Sequence, residues 1–133
     1  MKTNLIAVAI ASGFFVCSGA HALTSDQYKA EKNKIEADYK SQKVQCDTLK
    51  ANAKDVCEEE AEAKEKIAKA ELEHQYKPSP AHARKIAEAK AEGAHDVAKE
   101  KCDDQTGDAK NACEKQAKAD YEKAKADIKA TKY

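Results

Sequence analysis

The residues of this 133-residue chain with the clearest capacity for chemistry are its five cysteines. Four of them form two equally spaced pairs, Cys46 with Cys57 and Cys102 with Cys113, while Cys17 lies near the N-terminus. Redox dithiols are usually Cys-x-x-Cys at a helix N-terminus, and zinc ribbons use similarly short spacings. Here ten residues separate the members of each pair. The spacing therefore favours structural disulfides over redox catalysis or zinc binding.

Other possible metal ligands are scattered. No two histidines are spaced i, i+4, although His74 and His82 flank a Pro-Ser-Pro stretch where a transition-metal site could lie. Several aspartates near the cysteines would meet if both cysteine pairs lay at one end of the fold, and a cation could then offset their repulsion from helix C-termini. No calcium-loop spacing is present. We assign no metal site, and the weak candidates are Asp47, Asp103, Asp104, Asp108, His74 and His82.

Each cysteine pair belongs to a longer stretch that occurs twice, as Cys-Asp, Ala-Lys and Cys-Glu within residues 46–58 and again within residues 102–114. A continuous helix would hold the two cysteines roughly 16 Å apart, but a disulfide needs Cα atoms within about 4.4–6.8 Å. The chain must therefore turn between them, and Asn52 and Asp55 are typical N-cap residues for a new helix. We predict two antiparallel hairpins, each closed by its own disulfide, while the other two pairings stay open alternatives. Aligning Cys46 with Cys102 defines the equivalent positions of the two copies.

Residues 1–22 have the pattern of a cleaved signal peptide. Lys2 is the positive residue, residues 5–16 are apolar, and Ala20-His21-Ala22 is a small-x-small cleavage site. The residues before Cys17 lack the small side chain expected ahead of a lipidated cysteine, which disfavours a lipoprotein. Cleavage would leave four cysteines, and an exported chain with an even cysteine count favours disulfides.

The rest of the chain is predicted to be all-α. Beyond residue 22 it has no Phe, Trp or Met, and it is rich in the helix formers Ala, Lys and Glu. Hairpin 1 (residues 23–77) should contain helices over residues 24–49 and 53–76, and hairpin 2 (residues 81–133) over residues 81–104 and 109–131. Residues 78–80 form a Pro-Ser-Pro elbow because proline interrupts a helix. The hairpins could pack as an up-down-up-down bundle or barely touch.

Apolar positions define the expected seam of hairpin 1. Tyr28, Ile35, Tyr39, Cys46 and Leu49 share one stripe of the first helix. The second helix should face this stripe with Val56, Cys57, Ala63, Ile67 and Ala70. Most of these side chains are small, so the hydrophobic core should be thin.

The duplicated stretch, the export signal and the Ala-, Lys- and Glu-rich helices resemble a group of small exported bacterial proteins, often labelled TolA-like cell envelope proteins. The resemblance covers essentially the whole chain after residue 22. It implies a Gram-negative periplasmic or envelope location, and it carries no established activity onto any residue.

The sequence thus predicts a non-enzymatic structural, stress-protective or partner-binding protein, periplasmic or secreted, with no cofactor and no catalytic residue. A cation- or metal-sequestering protein is the alternative, and an enzyme is a third class without a motif to support it. The chain carries 24 basic and 24 acidic residues, interleaved, which argues against nucleic acid as a partner. The expected partner is an unknown protein or envelope component, and the chain after residue 22 should have no transmembrane anchor.

Overall fold

The computed structural model describes residues 23–133, and the predicted signal peptide with Cys17 lies outside them. The described chain forms four helices, α1 (Ser25–Cys46), α2 (Asn52–Tyr76), α3 (Pro80–Cys102) and α4 (Gly107–Ala130). The prediction of two tandem helical hairpins, α1 with α2 and α3 with α4, is confirmed. The helices differ from their predicted bounds mainly at the ends of α1 and α3, which stop at the cysteines.

The starts of α1 and α3 follow from local side-chain chemistry. The Thr24 hydroxyl accepts a hydrogen bond from the Gln27 amide at 3.2 Å, and the Gln27 side chain accepts one from the Thr24 amide at 2.9 Å. These two reciprocal bonds form a capping box. At α3 the Ser79 hydroxyl accepts from the His82 amide at 3.1 Å, and Pro80 occupies the first turn, where its missing N–H has no consequence.

The start of α2 differs from the prediction. Its N-cap is Ala51, which makes no side-chain capping bond. The side chain of Asn52 instead donates to the carbonyl oxygen of Glu100 in α3, at 2.8 Å. Asn52 therefore connects two helices, because the sharp turn at Ala51 places it inside the first turn of α2 rather than before it.

The four helices form an open row. α2 packs against α1 on one side and α3 on the other, and α4 packs against α3. Within residues 23–133, α1 and α4 do not contact each other, so the row does not close into a four-helix bundle. The pairing of α2 with α3 is the most extensive of the three, so the alternative of two barely touching hairpins is also wrong.

A glycine explains the close docking of the two hairpins. A Cβ atom placed on Gly93 of α3 would lie 2.7 Å from the Cβ of Ala63 in α2. Ala63 therefore faces α3, not α1 as predicted. The apolar pattern of α2 does not distinguish the side that faces α1 from the side that faces α3, because both sides contain small residues.

The core is as thin as the composition predicts. The buried apolar residues of the described chain include one large aliphatic side chain, and the remainder are alanines and disulfide cysteines: Leu72, Ala61, Ala63, Ala117, Cys46 and Cys102. The cysteines are 1% and 0% exposed, so the two disulfides occupy positions that larger apolar residues would fill in a thicker core. Among the helices described, none is both long and apolar enough to cross a membrane.

Candidate functional site

The turn end of each hairpin is closed by its own disulfide. Cys46 bonds Cys57 with their Cα atoms 5.5 Å apart, and Cys102 bonds Cys113 at 5.6 Å. Both separations lie within the ordinary range for disulfides. The predicted pairing within each hairpin is confirmed, and the two competing connectivities are wrong.

In each disulfide turn, one lysine forms ion pairs with two acidic residues of the duplicated stretch. Lys54 lies 2.8 Å from Asp47 and 3.7 Å from Glu58. The hydrogen bond from Lys54 holds the pKa of Asp47 below its ordinary value. The lysine thus connects the end of one helix to the first turn of the next, beside the disulfide.

The second turn repeats this arrangement. Lys110 lies 2.7 Å from Asp103 and 3.9 Å from Glu114. The hydrogen bond to Asp103 raises the pKa of Lys110, so this lysine stays charged at neutral pH. The aspartate after the first cysteine and the lysine before the second therefore have a structural role in both turns.

Both disulfide turns lie at the same end of the row, because α2 and α3 run antiparallel. Two contacts show this: the bond from Asn52 to Glu100, and Lys101 of α3 lying 2.9 Å from Glu60 of α2. Sharing an end does not assemble a metal site, however. In residues 23–133, no group of three or more His, Cys, Asp or Glu side chains is arranged to hold a metal ion.

The weak metal candidates are accounted for individually. Asp47 and Asp103 pair with lysines, while Asp104 and Asp108 are exposed. His82 Nδ1 lies 2.6 Å from the carbonyl oxygen of Lys77, which places this ring against the elbow. His74 is half-buried, and its Nδ1 atom has no hydrogen-bond partner in the described chain. The two histidines flank the elbow without joining a ligand group.

A groove opens between α3 and α4 at the opposite end from the disulfides. Its volume is about 520 Å³. A second depression of about 490 Å³ beside the C-terminal residues shares two of its lining residues, Arg84 and Lys129. The groove combines cationic, acidic and apolar side chains: Arg84, Glu88, Ala91, Tyr121, Ile128 and Lys129.

The matching end of hairpin 1 is closed by aromatic and polar contacts. The Tyr28 hydroxyl donates to the carboxylate of Glu73, and the Tyr28 ring lies 4.6 Å from the ring of Tyr76. Because the Glu73 carboxylate accepts a hydrogen bond from the protonated Tyr28 hydroxyl, the pKa of Tyr28 is raised above its ordinary value. The space left between α1 and α2 here is about 250 Å³, half that of the groove in hairpin 2.

Sequence reasoning missed the groove, although a signal for it was present. In the second copy, the positions equivalent to Tyr28, Glu73 and Tyr76 are all cationic: Arg84, Lys129 and Lys132. Three cations repel one another, whereas the three side chains of hairpin 1 attract one another. The sequence therefore indicates that this end of hairpin 2 cannot close in the same way.

Comparison with protein-family models, with curated proteins and with solved structures finds no match. The resemblance to TolA-like envelope proteins therefore stays an expectation. Only the described geometry and the sequence bear on the function of this chain.

Proposed function

We propose that this chain is a non-enzymatic binding protein of the bacterial periplasm or envelope, which holds a helical segment of a partner protein against the outer face of α1 or of α4. A structural or protective role would follow from such binding. The observation that carries the proposal is the open row, in which each outer helix packs against one neighbour and leaves an apolar stripe exposed.

The exposed stripe of α4 corresponds to a stripe that is used for docking inside the molecule. Ala63 of α2 meets Gly93 of α3, and residues seven positions apart return to the same side of a helix. Val56 and Ala70 therefore share the side of Ala63 that faces α3. The equivalent positions on α4 are exposed alanines: Ala112, Ala119 and Ala126.

The outer face of α1 likewise contains the positions equivalent to those that α3 uses to pack against α2. The docking side of α3 contains Ile86, Gly93 and Glu100, whose carbonyl oxygen accepts the bond from Asn52. The equivalent positions on α1 are the exposed residues Ala30, Ala37 and Val44. Val44 is the most exposed large apolar side chain of the described chain, at 67%. Small and apolar residues on one side allow a partner helix to approach closely.

A second copy of the chain fits these faces poorly. If α4 of one copy docked on α1 of another as α2 docks on α3, Ala119 would meet Ala37, with a Cβ where Gly93 has none. The ion pair between Lys66 and Glu92, at 3.3 Å, would become Glu122 facing Glu36. Steric overlap at Ala119 and this like-charge pair oppose the contact, although Lys34 and Asp127 would keep the attraction that Lys90 and Glu71 have at 2.8 Å. The partner should therefore be a different protein.

Two observations support the compartment. Disulfides persist in oxidising compartments and are rare in the cytosol, and this chain forms two of them. Residues 1–22 also have the pattern of an export signal. Intact-mass measurement of protein from a periplasmic extract should show loss of these residues and no free thiol; retention of the signal would contradict export by this route.

Site-specific photo-crosslinking in living cells tests the binding proposal. A photoreactive residue at Ala37 or Ala119 should yield a discrete crosslinked product with one partner protein. The same residue at Lys64 or Lys85, exposed positions of the inner helices, should not. A glutamate at Ala30 or Ala126, one heptad away on each stripe, should weaken the crosslink from the same helix. Uniform crosslinking at all four probe positions, or none at Ala37 and Ala119, would refute the proposal.

Cation sequestration is the competing hypothesis, and the geometry supports it less. Asp47 and Asp103, its central candidates, already have lysine partners that a cation would have to displace. Calorimetric titration with Ca²⁺, Zn²⁺, Cu²⁺ and Ni²⁺ at neutral pH should show no tight binding. Micromolar binding of any of them, lost in Asp47→Asn or His82→Gln, would favour the alternative.

A further inference from the structure

We infer that the groove between α3 and α4 binds a small amphipathic anion, with its anionic head on Arg84 and Lys129 and its apolar tail along Ala91, Tyr121 and Ile128. This site lies between the two helices of hairpin 2 and not on the outer stripe of α4, so the inference is independent of the proposed partner binding.

One end of the groove is cationic. Arg84 of α3 and Lys129 of α4 both line it, and neither forms an ion pair within residues 23–133. The guanidinium of Arg84 lies 5.7 Å from the Tyr133 ring, a cation–π contact that positions it at this end of the groove. Two cations facing one groove repel each other, and a bound anion would relieve that repulsion.

The lining of the groove changes from cationic at one end to apolar further along. Away from Arg84 and Lys129, the lining continues with the half-buried apolar side chains Ala91, Tyr121 and Ile128. The ammonium group of Lys125 is neutralised locally, since it lies 2.8 Å from Glu122 and over the Tyr121 ring. A ligand should therefore carry its charge at one end and an apolar group at the other.

Acidic side chains further along the groove make an acidic peptide an unfavourable ligand. Glu88 and Glu92 line the same groove, one and two helical turns from Arg84. They would repel a chain of repeated negative charges but not a single apolar tail. The distance along α3 from Arg84 to Ala91 is about 10 Å, the length of a medium alkyl chain, and 520 Å³ lies in the usual range of small-molecule sites.

Hairpin 1 provides an internal reference for this reading. At the same position it places Tyr28 against Glu73, which pull the helices together, and the remaining space is 250 Å³. Hairpin 2 has two cations in their place, and a groove of twice the volume is open. Installing the hairpin 1 residues in hairpin 2 should therefore close the groove.

Octanoate is a suitable probe, with 1-octanol as its neutral counterpart and acetate as its head alone. Titration of the oxidised protein by NMR should show octanoate binding at least tenfold tighter than either control, with shifts centred on Ala91, Tyr121 and Ile128. Equal affinity for acetate would show a simple anion site, and equal affinity for octanol an apolar depression; either result, or no binding at millimolar octanoate, would overturn the inference.

Two variants and one control locate the site. Arg84→Gln with Lys129→Gln should weaken octanoate binding at least tenfold and leave helicity unchanged. Arg84→Tyr with Lys129→Glu should abolish binding by closing the groove. The matched control, Lys34→Gln with Lys40→Gln, removes two exposed cations from α1 and should bind as the wild type. Wild-type affinity in the Arg84→Gln/Lys129→Gln variant would overturn the inference even if the closing variant failed to fold.

Discussion

Hairpins 1 and 2 have the same contacts at their disulfide ends and different contacts at their opposite ends. At the disulfide end, each has the same cysteine pair and a lysine bridging two acidic groups at nearly equal distances. At the elbow end, hairpin 1 is held by Tyr28 with Glu73, whereas hairpin 2 has Arg84 and Lys129. The covalently closed end secures each helix pair, which leaves the opposite end free to differ without loss of the fold.

The two disulfide turns both have a positive φ at one equivalent position, but different residues adopt it. Ala51 has φ 50° and ψ −147°, and the equivalent residue of the second copy, Gly107, has φ 59°. Positive φ is readily adopted by glycine but costs energy in alanine because of its Cβ atom. The first turn thus keeps a strained residue, and the disulfide beside it keeps the turn closed despite that strain.

The largest effect should come from removing a disulfide. A closed loop of this size, with cysteines 11 residues apart, contributes about 3 kcal/mol in the chain-entropy model. Cys102→Ala with Cys113→Ala should disorder most of α4, because within residues 81–133 the other end is held by the looser contact of Arg84 with the Tyr133 ring and by no hydrogen bond like that of Tyr28 with Glu73. Cys46→Ala with Cys57→Ala should leave the start of α1 protected.

Amide hydrogen exchange of the two double variants, beside oxidised wild type, measures this difference. Thermal unfolding followed by circular dichroism should also show a broader transition for the hairpin 2 variant. Equal exchange in α1 and α4 would mean that the contacts of Tyr28 do not stabilise the elbow end.

A smaller effect is expected at the seam between the hairpins. Gly93→Ala would place a Cβ 2.7 Å from that of Ala63, and overpacking of this kind costs about 1–3 kcal/mol. Alanine has a higher helix propensity than glycine, which offsets up to about 1 kcal/mol of this packing cost. Urea unfolding should therefore show net destabilisation, and adding Ala63→Gly should recover the packing part. Ala37→Gly, at the equivalent position on the exposed face of α1, should show only the propensity cost.

The two turn residues should respond in opposite directions. Ala51→Gly should stabilise the fold by about 1 kcal/mol by relieving the positive φ, and Gly107→Ala should destabilise it by about 1–2 kcal/mol. Both are read from urea unfolding of the oxidised protein. Ala53→Gly, inside the first turn of α2, is the control and should be mildly destabilising. A loss of stability in Ala51→Gly would mean that the turn is not strained.

The smallest effect should be an alkaline one confined to hairpin 1. The pKa of Tyr28 is raised above 10.0 by its hydrogen bond to Glu73, so the folded state holds this proton more tightly than the unfolded state. The stabilising contribution is complete below pH 10 and is lost as the pH rises through the folded value. Unfolding curves between pH 8 and 11 should show this slope in wild type and a shallower one in Tyr28→Phe. Lysine titration affects both proteins equally, so identical slopes would exclude a role for Tyr28.

Local chemistry was enough to predict a large part of this protein. The helices follow from Ala, Lys and Glu, and the capping box at Thr24 follows from side chains three residues apart. The pairing of Cys46 with Cys57 follows because a straight helix holds them too far apart and one turn brings them together. Each of these conclusions depends on residues close in sequence, where the backbone has few conformations to choose from.

The remaining features depend on contacts between residues far apart in sequence. The apolar pattern predicts the wrong neighbour for Ala63, because alanine packs equally well on either side of α2 and only the position of Gly93 distinguishes the two sides. The open row and the groove likewise arise where one helix meets the next. Small side chains have no strong preference for a neighbour, so the order of packing is decided by the few places where a missing Cβ or an unmatched charge permits or prevents close approach.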